Sequence, residues 1–120
     1  MQGKRRGIAF TYGMQITAPL KLNPVVVCSI FSNLLKNAVA GATDALEDSQ
    51  KAYIDVKSQA DDAYLHVMVQ NSYSTKKVKK KRKGYGQEIL QKIADQNDGQ
   101  MEIRKDNEIY EVSISVKMGE

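Results

Sequence analysis

The stretch Phe31-Ser32-Asn33-Leu34-Leu35-Lys36-Asn37-Ala38, answered further along by Gly84-Tyr85-Gly86, constrains this chain more than any other feature. It lies inside a helical pattern that begins at Asn23-Pro24, where asparagine suits the N-cap and proline the first helical position. Apolar residues then recur at Val27, Ile30, Phe31, Leu34, Ala38, Val39 and Ala42, so the spacing predicts one long helix to about Leu46. Asn33 and Asn37 stand four residues apart and project from one face of that helix, one turn above the other. Each amide offers a neutral oxygen and an N–H donor, a combination that suits a hydrated magnesium ion bridging phosphates. The Gly84/Gly86 pair opens a second helix, where backbone amides can approach an anion without side-chain hindrance. Either half alone is a weak signal, since asparagines also solvate helix faces and glycines also loosen helix starts.

The remaining segments read as strands and one loop. Ile8–Phe10 and Met14–Ile16 read as two short extended pieces around Gly13. Tyr53–Lys57 and Leu65–Asn71 alternate in polarity, with Asp61-Asp62 suiting the hairpin turn between them. Ser72–Lys83 has no apolar periodicity and reads as a mobile loop. A second helix is predicted from about Tyr85 to Gln96, with Ile89, Leu90, Ile93 and Ala94 on its apolar side and Asn97-Asp98-Gly99 ending it. Met101–Arg104 and Ile109–Val116 form a closing pair of strands. This order predicts an α+β, two-layer sandwich in which helices cover one face of a mixed sheet.

The whole chain, 1–120, is short enough for one domain with a single core. Its composition is that of a soluble globular chain. No continuous apolar run reaches the ~20 residues that cross a bilayer, and no secretory leader is visible behind the basic N-terminus. Cys28 is the only cysteine, which excludes an internal disulfide and fits a reducing, cytoplasmic setting. It reads as a small helix residue packed near the core. The net charge of +4 is local: Lys76, Lys77, Lys79, Lys80, Lys81, Arg82 and Lys83 supply seven positive charges. The other 11 basic residues face 14 acidic ones, leaving the rest of the chain at −3. A broad nucleic-acid footprint is therefore not expected, and aromatic residues are not interleaved with the basic run as base stacking requires.

In this order and at this distance, the asparagine helix and the Gly-x-Gly helix resemble the N box and glycine-rich box of a Bergerat-fold (GHKL) ATPase. The chain resembles the catalytic, ATP-binding domain of sensor histidine kinases, and most of all the Agr-type and citrate-sensor-type kinases, from about Ile8 to Val116. The resemblance implies ATP and Mg²⁺ as ligands. It implies that Asn37 coordinates Mg²⁺, that Asn33 lies nearer the phosphates, and that Asn71 stands where most members carry the aspartate that reads the adenine amino group. Gly84 and Gly86, with Tyr85 between them, match the glycines that pass the triphosphate. Lys81, Arg82 and Lys83 belong to a lid at about 72–83 that would contact phosphate. Asp98-Gly99 matches the turn after the second helix, and Tyr110 an aromatic common in the last strand. Departures are Lys36 for an acidic residue, Ala40 for a polar one, Gln87 for a leucine, and Ser72-Tyr73 where an Asp-x-Gly box keeps its glycine.

The resemblance further implies phosphoryl transfer from ATP to a histidine on a separate dimerisation domain, with a response regulator beyond it. The only histidine here, His66, lies mid-strand on the polar side of its alternating pattern. It reads as a surface residue rather than as the acceptor, so the isolated chain is expected to be monomeric and unable to phosphorylate itself, the parent kinase being a dimer. Two other readings stay open: an anti-sigma-factor-type serine kinase of the same fold, and a degenerate nucleotide-binding regulatory module without catalysis.

Overall fold

The computed structural model describes residues 7–16, 19–47, 51–74, 85–106 and 109–118, and for Tyr85 and Gly86 the backbone only. Its elements are β1 (Ala9–Ile16), α1 (Pro24–Glu47), β2 (Tyr53–Ala60), β3 (Tyr64–Ser72), α2 (Tyr85–Gln96), β4 (Gln100–Lys105) and β5 (Ile109–Lys117). The basic run Lys76–Lys83, with Lys81, Arg82 and Lys83, lies outside the described residues, as does Gly84.

Helix α1 starts as its sequence dictates. Asn23 Oδ1 accepts from the Val25 amide at 2.9 Å and the Asn23 carbonyl accepts from the Val26 amide at 2.9 Å, giving a side-chain N-cap with proline at the first helical position. Ile30, Leu34, Ala38, Ala42 and Ala45 form its buried stripe. Three expectations for this helix are corrected. Cys28 and Val39 are exposed rather than packed near the core, because they fall on the solvent stripe with Val25, Ser32 and Lys36. By length and composition, α1 is also long and apolar enough to cross a bilayer. Its small and apolar residues are interrupted by no more than two polar ones at a time, as at Ser32-Asn33 and Lys36-Asn37, so its mean hydropathy is high although it holds no long unbroken apolar run; one stripe of it is nonetheless packed into the core.

The five strands form one sheet in the order β1-β2-β3-β5-β4. β1 pairs parallel to β2, with α1 as the crossover between them, while the other pairs are antiparallel. β1 runs unbroken through Gly13, where two separate extended pieces were expected; its register from Ala9 to Ile16 is held residue by residue by β2. β3 continues through Ser72, which therefore belongs to the sheet rather than to the loop after it, held by Tyr53 donating its amide to Ser72 Oγ at 3.0 Å.

Alternation selects the covered face. Ile54, Val56 and Ala60 of β2, Leu65, Val67 and Val69 of β3, and Val112, Ile114 and Val116 of β5 are buried beneath the helices. Leu90, Ile93 and Ala94 of α2 join them, whereas β1 is exposed along its length on both faces. The β2–β3 turn is closed by Asp61, whose carboxylate accepts from the amides of Ala63 (2.8 Å) and Tyr64 (2.9 Å). The Tyr64 and Ala63 amides hold its carboxyl below the ordinary value of 3.8. The fold is thus the expected α+β sandwich, a mixed sheet with both helices on one face.

At the end of α2 the left-handed residue is Asp98 (φ 48°), not the glycine after it. The Gly99 amide reaches back to the Ala94 carbonyl at 2.8 Å, and the Lys117 amide donates to the Asn97 carbonyl at 2.9 Å, tying this turn to β5.

Candidate functional site

Asn33, Asn37 and Gly41 succeed one another at four-residue steps and so lie along one stripe of α1. The two asparagines differ in what they leave free. Asn33 Nδ2 donates to the Ser29 carbonyl one turn back at 2.8 Å, so one of its two N–H donors is engaged within the helix. Asn37 Nδ2 is buried and finds no hydrogen-bond partner among the described residues. A buried donor left unpaired costs about 1–3 kcal/mol, so this amide calls for an acceptor beyond the described residues, and it stands on the stripe that carries Asn33, whereas the other orphaned atom, Ser58 Oγ, lies within β2. A phosphate oxygen is such an acceptor.

Asn71 reaches the same stripe from the sheet. It lies near the end of β3, 2% exposed, with Nδ2 donating to the Ser72 carbonyl at 2.8 Å. Its amide sits directly against Gly41: a Cβ built there would lie 2.4 Å from Asn71 Nδ2. Strand β3 and helix α1 thereby bring Asn71 and the asparagine stripe into one region, although thirty-odd positions separate them in sequence. Gly41 is the residue that the sequence reading missed. The available signal was a glycine in the interior of a strong helical pattern, which costs ~1 kcal/mol against alanine and calls for a packing reason.

Beside Asn71 in the register stands Tyr110 of β5. Its hydroxyl accepts a hydrogen bond from Gln87 Nε2 in the first turn of α2, so the residue that departs from the family leucine ties that helix to the sheet. Tyr110 also meets Tyr73 edge-on at 6.1 Å, and the Lys105 ammonium lies 5.8 Å and 5.9 Å from the centres of the two rings. Burial pushes the Tyr110 phenol above its ordinary value of 10.0, opposed by the Gln87 hydrogen bond. The sign follows. As pH rises past 10, the unfolded chain releases this proton first, so Tyr110's contribution is complete below that value and is lost as pH rises through the folded one. Tyr110→Phe is expected to flatten the alkaline limb of a stability-against-pH curve, and the difference spectrum of parent and variant should show a late-titrating phenolate. Identical alkaline limbs would mean that Tyr110 is not shielded.

His66 lies on the other side of the sheet. It is exposed, with Nδ1 2.7 Å from Ser115 Oγ and its ring stacked on Tyr64 at 5.9 Å. A concavity of ≈ 600 Å³ on that open face is lined by Gly13, Lys57, Gln59, His66, Met68 and Ser115 among others. It is open to solvent and lies across the sheet from Asn71, so the side-chain chemistry and not the volume identifies the site. Among the described residues no group of three or more His, Cys, Asp or Glu side chains could hold a metal ion. The amide oxygen of Asn37 is a hard, neutral donor of the kind that could hold a magnesium ion.

Comparison with known proteins identifies the fold. A profile of the GHKL domain matches residues 22–117. Among curated proteins, none matches. Solved structures with the same fold include the catalytic domain of the histidine kinase ThkA, at 16% identity and TM-score 0.69, covering 92% of this chain and 78% of that one. A histidine kinase from Burkholderia phymatum STM815 aligns at 14% identity and TM-score 0.70, over 97% of this chain and 61% of that one. Full-length ShkA in complex with AMPPNP aligns at 13% identity and TM-score 0.71, over 96% of this chain but only 27% of ShkA. With the profile spanning most of its length, the chain belongs to the GHKL family of ATP-binding domains, and its fold is that of histidine-kinase catalytic domains.

Proposed function

We propose that this domain is the catalytic part of a sensor histidine kinase of the Agr or citrate-sensor kind, delivering the γ-phosphoryl group of ATP to a histidine on a separate dimerisation domain. The observation that carries the reading is the buried, unpartnered amide of Asn37 on the stripe that Asn71 closes. In this reading Asn37 Nδ2 donates to a phosphate oxygen, and Asn71 Oδ1 accepts from the adenine amino group. Asn33, with one N–H given to the Ser29 carbonyl, keeps its second N–H and its oxygen for the phosphates or their waters. The Asn37 oxygen would hold Mg²⁺, which would supply neutralisation of triphosphate charge. The backbone at Gly84 and Gly86 and the cations Lys81, Arg82 and Lys83 would complete the phosphate environment, as the resemblance implies.

The transfer itself asks for positioning and charge neutralisation more than for covalent chemistry by the protein. An imidazole nitrogen of the partner attacks the γ-phosphorus, a P–N bond forms, the P–O bond to the β-phosphate breaks, and ADP leaves while the imidazole proton passes to solvent. The attacking nitrogen must stand in line at near contact distance. His66 cannot meet that condition from the far face of the sheet, so the acceptor belongs to another domain. The parent protein would be a dimeric, membrane-anchored receptor with this domain on the cytoplasmic side, passing its phosphoryl group on to a response regulator.

The test incubates the chain with γ-labelled ATP and Mg²⁺, with and without a fragment carrying the parent kinase's dimerisation helices. Acid-labile label is expected on the partner fragment alone, and His66→Gln should change nothing. Label on His66 in the lone chain would overturn the two-domain mechanism. Binding of ATP with no transfer to the cognate fragment would favour the regulatory module, and acid-stable label on a protein serine the serine-kinase reading.

A further inference from the structure

Gly41 occupies the interior of α1, where glycine is the poorest residue short of proline. Its backbone does not ask for glycine, since no described glycine has positive φ. What Gly41 provides is room. A Cβ at that position would lie 2.4 Å from Asn71 Nδ2 and 3.3 Å from the Ser72 carbonyl oxygen. Asn71 is nearly fully buried and its side chain is short, so the amide has little freedom to yield without giving up the 2.8 Å hydrogen bond to Ser72. A carbonyl oxygen only accepts, so the face of the Asn71 amide turned to it must be the N–H₂ group. The planar amide then directs Oδ1 the opposite way.

We propose that Gly41 is a positioning residue that locks the Asn71 amide in this single orientation, so that the site offers a purine base an acceptor and never a donor. This deepens the reading of the region as a nucleotide pocket and rests on it. An asparagine free to turn over would accept from a 6-amino purine in one orientation and donate to a 6-keto purine in the other. With its N–H₂ group turned to Gly41 and one N–H given to the Ser72 carbonyl, Asn71 discriminates between the two bases as an aspartate would, without a charge.

The experiment measures affinity, by calorimetric titration with Mg²⁺ present, for ATP, for inosine triphosphate and for purine riboside triphosphate, which has no group at position 6. The parent chain is expected to bind ATP about 10-fold more tightly than the purine analogue, the worth of one hydrogen bond. Inosine triphosphate should be weaker still, because its keto oxygen would face Oδ1. Gly41→Ala is expected to stay folded, since alanine favours the helix, while its affinity for ATP falls to that for the purine analogue and the latter stays within about 2-fold of the parent. A merely structural role for Gly41 would move the two affinities together. Inosine triphosphate bound as tightly as ATP by the parent would show a freely turning amide and overturn the proposal, and that comparison stands even where Gly41→Ala fails to fold. Retention of the full preference by Gly41→Ala would overturn it as well. Failure of the parent to bind any of the three triphosphates would instead overturn the nucleotide reading of the site, and this proposal with it.

Discussion

Gly99→Ala is expected to remove a large share of the domain's stability, on the order of 3 kcal/mol or more, and to lower the melting temperature by roughly 10 °C or more. A Cβ at Gly99 would lie 1.8 Å from the Ser115 carbonyl oxygen and 2.9 Å from both the Ser115 carbonyl carbon and Val116 Cα. All three are backbone atoms of β5, which is held between β3 and β4, so no side-chain rotation relieves the overlap. Either the turn after α2 must release its bonds to Ala94 and Lys117, or the β4–β5 ladder must open at Gln100, the partner of Ser115. Gly13→Ala is the control: it also adds one methyl group within a sheet strand, but a Cβ there meets nothing within 4 Å. It should be neutral or stabilising by up to about 1 kcal/mol, because alanine restricts the unfolded chain. Thermal unfolding followed by circular dichroism measures both, and equal melting temperatures for the two variants would refute the close approach of Gly99 to β5.

Mg·ATP should raise the melting temperature of the parent chain by roughly 10 °C, since ligand at ~100 times its dissociation constant stabilises by ~2.7 kcal/mol. Asn37→Ala separates the two roles an asparagine can have here. Without nucleotide the variant should be as stable as the parent or more so, because the substitution deletes a buried unpaired donor and installs the strongest helix former. With Mg·ATP most of the increment should vanish. That combination, stability kept and ligand response lost, is the signature of a residue retained for binding. A variant that is destabilised without ligand yet keeps the full increment would make Asn37 structural.

Much of this fold is legible one element at a time. Asn23-Pro24 announces the start of α1, and the start and end of α2 at Tyr85 and Gln96 agree with its apolar spacing and the Asn97-Asp98-Gly99 turn. Alternation in β2, β3 and β5 names the buried face, because neighbouring side chains on a strand must point to opposite sides of the sheet. The same rule puts His66 on the open face, and the four-residue step puts Asn33 and Asn37 on one stripe.

Periodicity says which side a residue faces and nothing about what lies opposite. Only the assembled sheet gives β1 its length, because the parallel ladder to β2 carries the chain through a glycine that alone reads as a break. Cys28 and Val39 are apolar enough to be counted with the core, yet only the placement of α1 over β2 and β3 decides that both face solvent. The two glycine contacts are hidden for the same reason. Gly41 meets Asn71, and Gly99 meets Ser115, across distances in sequence that no local pattern spans. A missing Cβ leaves no signal until a second backbone or a buried amide comes to occupy its place. The residues proposed to bind a nucleotide are thus declared by the chain itself, whereas their orientation and the space between them belong to the tertiary structure, because close approach is a property of pairs and not of residues.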